Sequence, residues 1–113
     1  MKTLLIVDAE PIYCDFFYTI LSGSHNVFTT TTGQEALEVL ENMRIDILLA
    51  DIDLYGMDGI ELLQRANDLD PTIMPVLMSH DEQMRQLSHA IGIRFVKKPL
   101  DITALRSFVH VLA

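Results

Sequence analysis

A single cysteine, Cys14, in 113 residues leaves no partner for an internal disulfide. Basic side chains are scarce as well. Eight Lys and Arg against sixteen Asp and Glu give a formal charge of −8, which argues against direct nucleic-acid binding or a grip on an anionic membrane. A bound cation or a cationic partner suits that balance better. Long apolar runs are also missing. Leu4 to Val7 is cut off by Asp8, too early for a signal peptide and far too short for a membrane span, so the cytoplasm is the expected compartment. His25, His80, His89 and His110 lack close metal-ligand spacing, so no zinc site is expected. No Gly/Ser/Pro-rich stretch, charge block, low-complexity tract or internal repeat divides the chain. What is there, 50% hydrophobic residues in one undivided chain, predicts a single domain over residues 1–113 with a core of its own.

Short apolar runs alternate with longer segments of helical period. Leu4-Leu5-Ile6-Val7, Ile47-Leu48-Leu49-Ala50 and Met74 to Met78 are apolar at consecutive positions, the pattern of strands buried on both faces of a parallel sheet. Val27 to Thr30 and Phe95-Val96 are weaker and suit the two edges. Ile12, Phe16, Phe17, Ile20 and Leu21 form a first helical face behind Pro11, whose missing N–H costs nothing in a first turn. Thr32 with Glu35, and Asp58 with Glu61, make capping boxes ahead of a second and a third helix. Met84, Leu87 and Ile91 after Asp81 give a thin fourth stripe, and Leu105, Phe108, Val109 and Leu112 after Asp101 a clear fifth. Five strand-then-helix repeats predict an open, doubly wound α/β sheet with ligands at the carboxyl ends of its strands.

Those ends carry Asp8 and Glu10, Asp51 and Asp53, then Ser79, His80 and Asp81, and finally Lys98. Carboxylates held together raise each other's pKa unless a cation or proton intervenes, so the cluster implies a hard divalent ion with oxygen ligands, Mg²⁺ above all. Asp51, at the rim of an apolar strand, is the candidate nucleophile. Ser79 and Lys98 supply a hydroxyl and a fixed positive charge for phosphoryl oxygens. Taken singly, these residues have plainer readings: Lys97 as a surface lysine, Ser79 or Asp81 as a helix cap, Phe95 as core, Cys14 as a small packing residue. Tyr13 and Tyr18 are candidates for an exposed contact surface.

The ordered segments LLIVDAEP, LLADIDLYGMDG, PVLMS and FVKKP resemble the response-regulator receiver domain of two-component signalling across essentially the whole chain. The resemblance implies a CheY-like, flavodoxin-like fold: a five-stranded parallel sheet in the order 2-1-3-4-5 with five helices. It also implies a non-enzymatic switch in which Asp51 accepts a phosphoryl group from a histidine kinase or phosphotransfer protein. Ser79 and Lys98 then contact that group, Mg²⁺ sits on Asp8, Asp51 and the main-chain carbonyl of Asp53, and Ser79 with Phe95 forms the switch. The Lys98–Pro99 bond is implied to be cis, the isomer that only X–Pro bonds adopt cheaply. The signal is expected to leave through the face of the fourth helix, fifth strand and fifth helix, toward an output domain or partner protein or in a homodimer.

Four departures from the family pattern stand out. Ala9 occupies the place of the second acidic residue, so the usual direct metal ligand is missing; Glu10 is a candidate substitute, and Mg²⁺ binding should be weak. His80 replaces a small residue and narrows access to Asp51. Ser79 and Lys98 stand nineteen positions apart, fewer than usual, and Tyr55 takes a place where proline is common, so the fourth helix should be short or irregular. Ala9 keeps open a second reading, a phosphorylation-independent interaction module. The Asp51-Ile52-Asp53 triplet keeps open a distant third, a haloacid-dehalogenase-like phosphatase. The chain stops at Ala113 within a helical pattern, leaving both a free-standing domain and a piece of a longer protein open.

Overall fold

The computed structural model describes residues 1–100 together with 102, 103, 105, 106 and 110. The elements run β1 (Thr3–Val7), α1 (Pro11–Leu21), β2 (Asn26–Thr30), α2 (Gly33–Asn42), β3 (Ile47–Asp51), α3 (Gly59–Leu69), β4 (Met74–Ser79), α4 (Met84–Ala90) and β5 (Arg94–Lys97). The strands form one parallel sheet in the order β2-β1-β3-β4-β5, with the two weakest apolar runs at its edges as expected.

Both faces of the sheet are covered, and alternation along each strand divides the core in two. Leu4, Ile6, Ile47, Leu49, Val76 and Met78 point to one side, where Phe17 and Leu21 of α1 meet them. Leu5, Val7, Leu48, Ala50 and Leu77 point to the other, against Ala36 and Leu37 of α2 and Leu62, Leu63 and Ala66 of α3. β3 is buried at every position.

The expected helix starts are present, with changes of detail. Thr32 Oγ1 accepts the Glu35 N–H at 3.1 Å and Asp58 Oδ1 accepts the Glu61 N–H at 2.8 Å. The reciprocal halves of the boxes go elsewhere: Glu35 Oε1 accepts from the Thr31 and Thr32 hydroxyls, and Glu61 pairs with Arg65. In α1 the buried stripe runs through Cys14, Phe17 and Leu21, while Ile12 is 74% exposed. Positions 14, 17 and 21 share a face at 3.6 residues per turn, and position 12 lies roughly opposite. Phe16, Phe17, Ile20 and Leu21 of the expected face do pack on the core, and only Ile12 falls off it.

The fourth helix is short, as expected. It spans seven residues from Met84 and buries only Ser88, while Leu87 and Ile91 of the expected stripe stay exposed. Four helices have assigned bounds among the described residues, against five expected. In the segment of the fifth, Ile102, Thr103, Leu105, Arg106 and His110 are helical and Leu105 is buried in the α1-side core. Asp101, Phe108, Val109 and Leu112 lie outside the described residues.

Candidate phosphoacceptor site

Register brings the strand-end residues together. Val7 pairs with Ala50, so the next residues along β1 and β3 are Asp8 and Asp51; Asp51 pairs with Met78, and Ser79 with Lys97. The Lys98 N–H donates to the Ser79 carbonyl at 2.8 Å, which continues the β4–β5 ladder one step further. The Lys98–Pro99 peptide bond is cis. While Lys97 is exposed on the strand, Lys98 is buried, its side chain 1% accessible.

The Lys98 ammonium donates to Asp8 Oδ2 at 2.7 Å and lies 3.3 Å from Asp51 Oδ2. Asp8 is wholly buried, and its other oxygen, Oδ1, accepts the Glu10 N–H at 3.0 Å. Burial acts first to raise the pKa of Asp51, and the neighbouring Asp8 charge adds to this; Lys98 opposes both, leaving Asp51 above the usual aspartate value. For Lys98, burial is the largest influence and pulls its pKa down. The Asp8 hydrogen bond and the attraction of Asp51 and Asp8 outweigh it, and the ammonium is held more firmly than usual.

A cavity of ≈ 390 Å³ opens over this edge, lined by Ala9, Glu10, Asp51, Asp53, Leu54, Tyr55, His80 and Lys98. Asp51, Asp53, Glu10 and Lys98 thus share one space, with Asp8 packed behind Lys98. Ser79 sits at the end of β4, 2% exposed, where its Oγ accepts the Asp81 N–H at 3.0 Å. Phe95 stands apart on β5, half-buried, with the Arg85 guanidinium 4.9 Å from its ring centroid.

Oxygen donors from Asp51, Glu10 and Asp53 around one cavity fit the chemistry of a hard cation. Among the described residues, however, no group of three His, Cys, Asp or Glu side chains is placed to hold a metal by itself. Asp51, Glu10 and Asp53 are the residues here that could hold such a cation.

Several contacts were not anticipated from sequence. The Tyr13 ring centroid lies 3.9 Å from Lys98 Nζ, and His80 meets that ring edge-on at 5.9 Å. The Cys14 thiol is buried and donates to the Asp8 and Thr30 carbonyls, each at 3.5 Å; burial first and the Asp8 charge next raise its pKa. Gly59 opens α3 directly against β3: a Cβ there would run into the Asp51 carbonyl. The place of Tyr13 follows from a helix starting at Pro11, whose first turn lies beside the end of β1. Gly59 closes the LLADIDLYGMDG segment, but its close approach to β3 had no signal in the sequence.

Residues 4–110 match the family model of the response regulator receiver domain, and the chain belongs to that family. It is 33% identical over 111 residues to sporulation initiation phosphotransferase F of Bacillus subtilis, covering 96% of this chain and 90% of that protein. It is 28% identical over 108 residues to the transcriptional regulatory protein ZraR of Escherichia coli, covering 92% of this chain but 24% of ZraR. The chain therefore spans about a quarter of that relative and nearly all of the first. Among solved structures, the CheY-like response regulator receiver domain protein of Methanospirillum hungatei superposes with a TM-score of 0.88 at 27% identity, covering 98% of this chain and 92% of that one. Receiver domains are phosphoacceptors that generally bind Mg²⁺ and work with histidine kinases or phosphotransfer proteins and with output domains. Among the described residues no helix is long and apolar enough to cross a membrane.

Proposed function

We propose that residues 1–113 form one receiver domain that acts as a phosphoacceptor switch, with Asp51 as the acceptor. The observation that carries this reading is the meeting of Asp51, Lys98 and Asp8 at one sheet edge, with Lys98 Nζ 3.3 Å from Asp51 Oδ2. An Asp51 carboxylate oxygen attacks the phosphorus of a phosphohistidine on a kinase or phosphotransfer protein. The P–O bond to Asp51 forms as the P–N bond breaks, and the histidine nitrogen leaves with the electron pair. Lys98 and the Ser79 hydroxyl hold phosphoryl oxygens. Asp51, the Asp53 carbonyl and Glu10 would hold Mg²⁺, with Asp8 acting through water, and the ion would supply neutralising charge.

The phosphoryl group carries a charge of about −1.5 to −2 where the carboxylate carried −1, and the change shifts an equilibrium between two surface states, read through Ser79 and Phe95 at the face of α4 and β5 and the chain beyond. That face has the loosest packing to move: α4 is short, buries only Ser88, and leaves Leu87 and Ile91 exposed. An output domain, a separate partner protein or a second copy of the chain would read it, in the cytoplasm. The test is incubation with Mg²⁺ and acetyl phosphate: an acid-stable, base-labile adduct supports the switch, and its absence over hours in saturating donor contradicts it.

A second reading has its own observation. Both Asp8 oxygens are engaged by Lys98 and the Glu10 N–H, and Ala9 offers none. A chain that takes no phosphate would then bind its partner constitutively, and Asp51→Asn would leave that binding unchanged.

A further inference from the structure

An ammonium has three N–H donors; at Lys98 one donates to Asp8, and Asp51 lies within ion-pair distance at 3.3 Å. The remaining side of the ammonium faces the Tyr13 ring, whose centroid lies 3.9 Å from Nζ. This is well inside the roughly 6 Å reach of a cation–π contact, and Lys98 is cut off from water, the setting in which such contacts are strongest. The ring is itself held from two sides. It packs against the α1-side core, and His80 meets it edge-on at 68°. The ammonium lies over the ring itself, so the face of the ring is the part that engages Lys98.

We propose that Tyr13 is a positioning residue for phosphoryl uptake: its ring is the third wall of the Lys98 ammonium site and keeps that charge within reach of Asp51. This inference rests on the phosphoacceptor reading given above. Two carboxylates compete for one ammonium, and the Asp8 contact is the shorter, 2.7 Å against 3.3 Å. The ring closes the remaining approach to water and adds an electron-rich partner next to Ala9, where no acid side chain stands. Without it, Lys98 is free to settle on Asp8 and leave the acceptor.

The experiment has two arms. In the first, phosphate uptake from acetyl phosphate with Mg²⁺ is timed by intact-protein mass spectrometry for the unaltered chain, Tyr13→Phe, Tyr13→Leu, and chains carrying phenylalanines with successively more ring fluorines at this position. Fluorination keeps the shape of the ring while weakening its negative face. The expected rate stays within about twofold for Tyr13→Phe, falls stepwise with fluorine number, and falls about three- to thirtyfold for Tyr13→Leu. A flat fluorine series, or a Tyr13→Phe rate as low as that of Tyr13→Leu, overturns the proposal.

The second arm uses no donor. The Lys98 ε-methylene and ammonium protons, lying over an aromatic face, should resonate upfield of ordinary lysine in the unaltered chain and in Tyr13→Phe, and lose that shift in Tyr13→Leu. Ordinary lysine positions in the unaltered chain overturn the proposal even where Tyr13→Leu does not fold. Should the unaltered chain take up no phosphate at all, the phosphoacceptor reading fails with it, and this arm still decides whether the ring holds Lys98.

Discussion

Lys98 and Asp8, ninety positions apart in the chain, meet at 2.7 Å with side-chain exposures of 1% and 0%. A pair this dry depends on both members, because either charge left alone is costly to keep out of water. Lys98→Met should therefore destabilise the domain by about 3 kcal/mol, the lower end of what breaking a buried pair costs, and abolish phosphate uptake. Urea unfolding followed by circular dichroism checks the first part. A loss below about 1 kcal/mol would mean that Asp8 finds another partner.

Asp51 has a pKa above that of an ordinary aspartate, chiefly through burial. A raised acid favours folding below its unfolded pKa and loses that contribution as pH rises through the folded value, so at neutral pH the Asp51 charge weighs against the native state. Asp51→Asn should stabilise the metal-free domain at pH 7 by about 1 kcal/mol, the ordinary scale of a single-site effect. The gain should shrink as pH falls to about 3 to 4, where the unfolded aspartate also takes up its proton. Thermal unfolding across pH checks this; an Asp51→Asn variant less stable at pH 7 than at pH 4, relative to the unaltered chain, contradicts it.

The fold was legible because strand burial is written directly in the sequence. Leu4 to Val7 and Ile47 to Ala50 are apolar at every step, and both faces of those strands are indeed covered. Asp8, Asp51 and Lys98 were found by the same logic, since polar residues ending apolar runs must gather at one sheet edge. The first and fourth helices are where expected, but Ile12, Leu87 and Ile91 face solvent rather than the core, because apolar side chains on short helices or at helix ends need not be covered. The roles of Tyr13 and Gly59 were not legible because they depend on the distance between elements, a Lys98–ring contact in one case and an α3–β3 approach in the other. Periodicity says which way a residue points and nothing about what stands there.

Restoring an oxygen beside the cavity should strengthen its hold on a cation. Ala9→Asp is expected to tighten Mg²⁺ by about tenfold, because it adds a charged ligand to a site that otherwise relies on one or two carboxylates and water. Titration by NMR shifts or intrinsic tyrosine fluorescence measures it. No gain would mean that Glu10 or Asp53 already fills that role.

Phosphorylation should loosen or tighten α4 before the better-packed helices, because α4 buries only Ser88 whereas α3 buries Gly59, Leu62, Leu63 and Ala66. Hydrogen exchange with and without acetyl phosphate should change between Asp81 and Lys97. Changes confined to α1 and α2 would place the signalling face elsewhere.

The most direct test of the account is the position of the phosphate itself. An aspartyl phosphate is an acyl phosphate, and borohydride reduces it to a stable alcohol that marks its place in the chain. After treatment with Mg²⁺ and acetyl phosphate, reduction and peptide sequencing by mass spectrometry, the mark should fall on Asp51 alone and vanish in Asp51→Asn. A mark on Asp53, Asp8 or Glu10, or one that survives Asp51→Asn, would contradict the assignment of Asp51 as the acceptor.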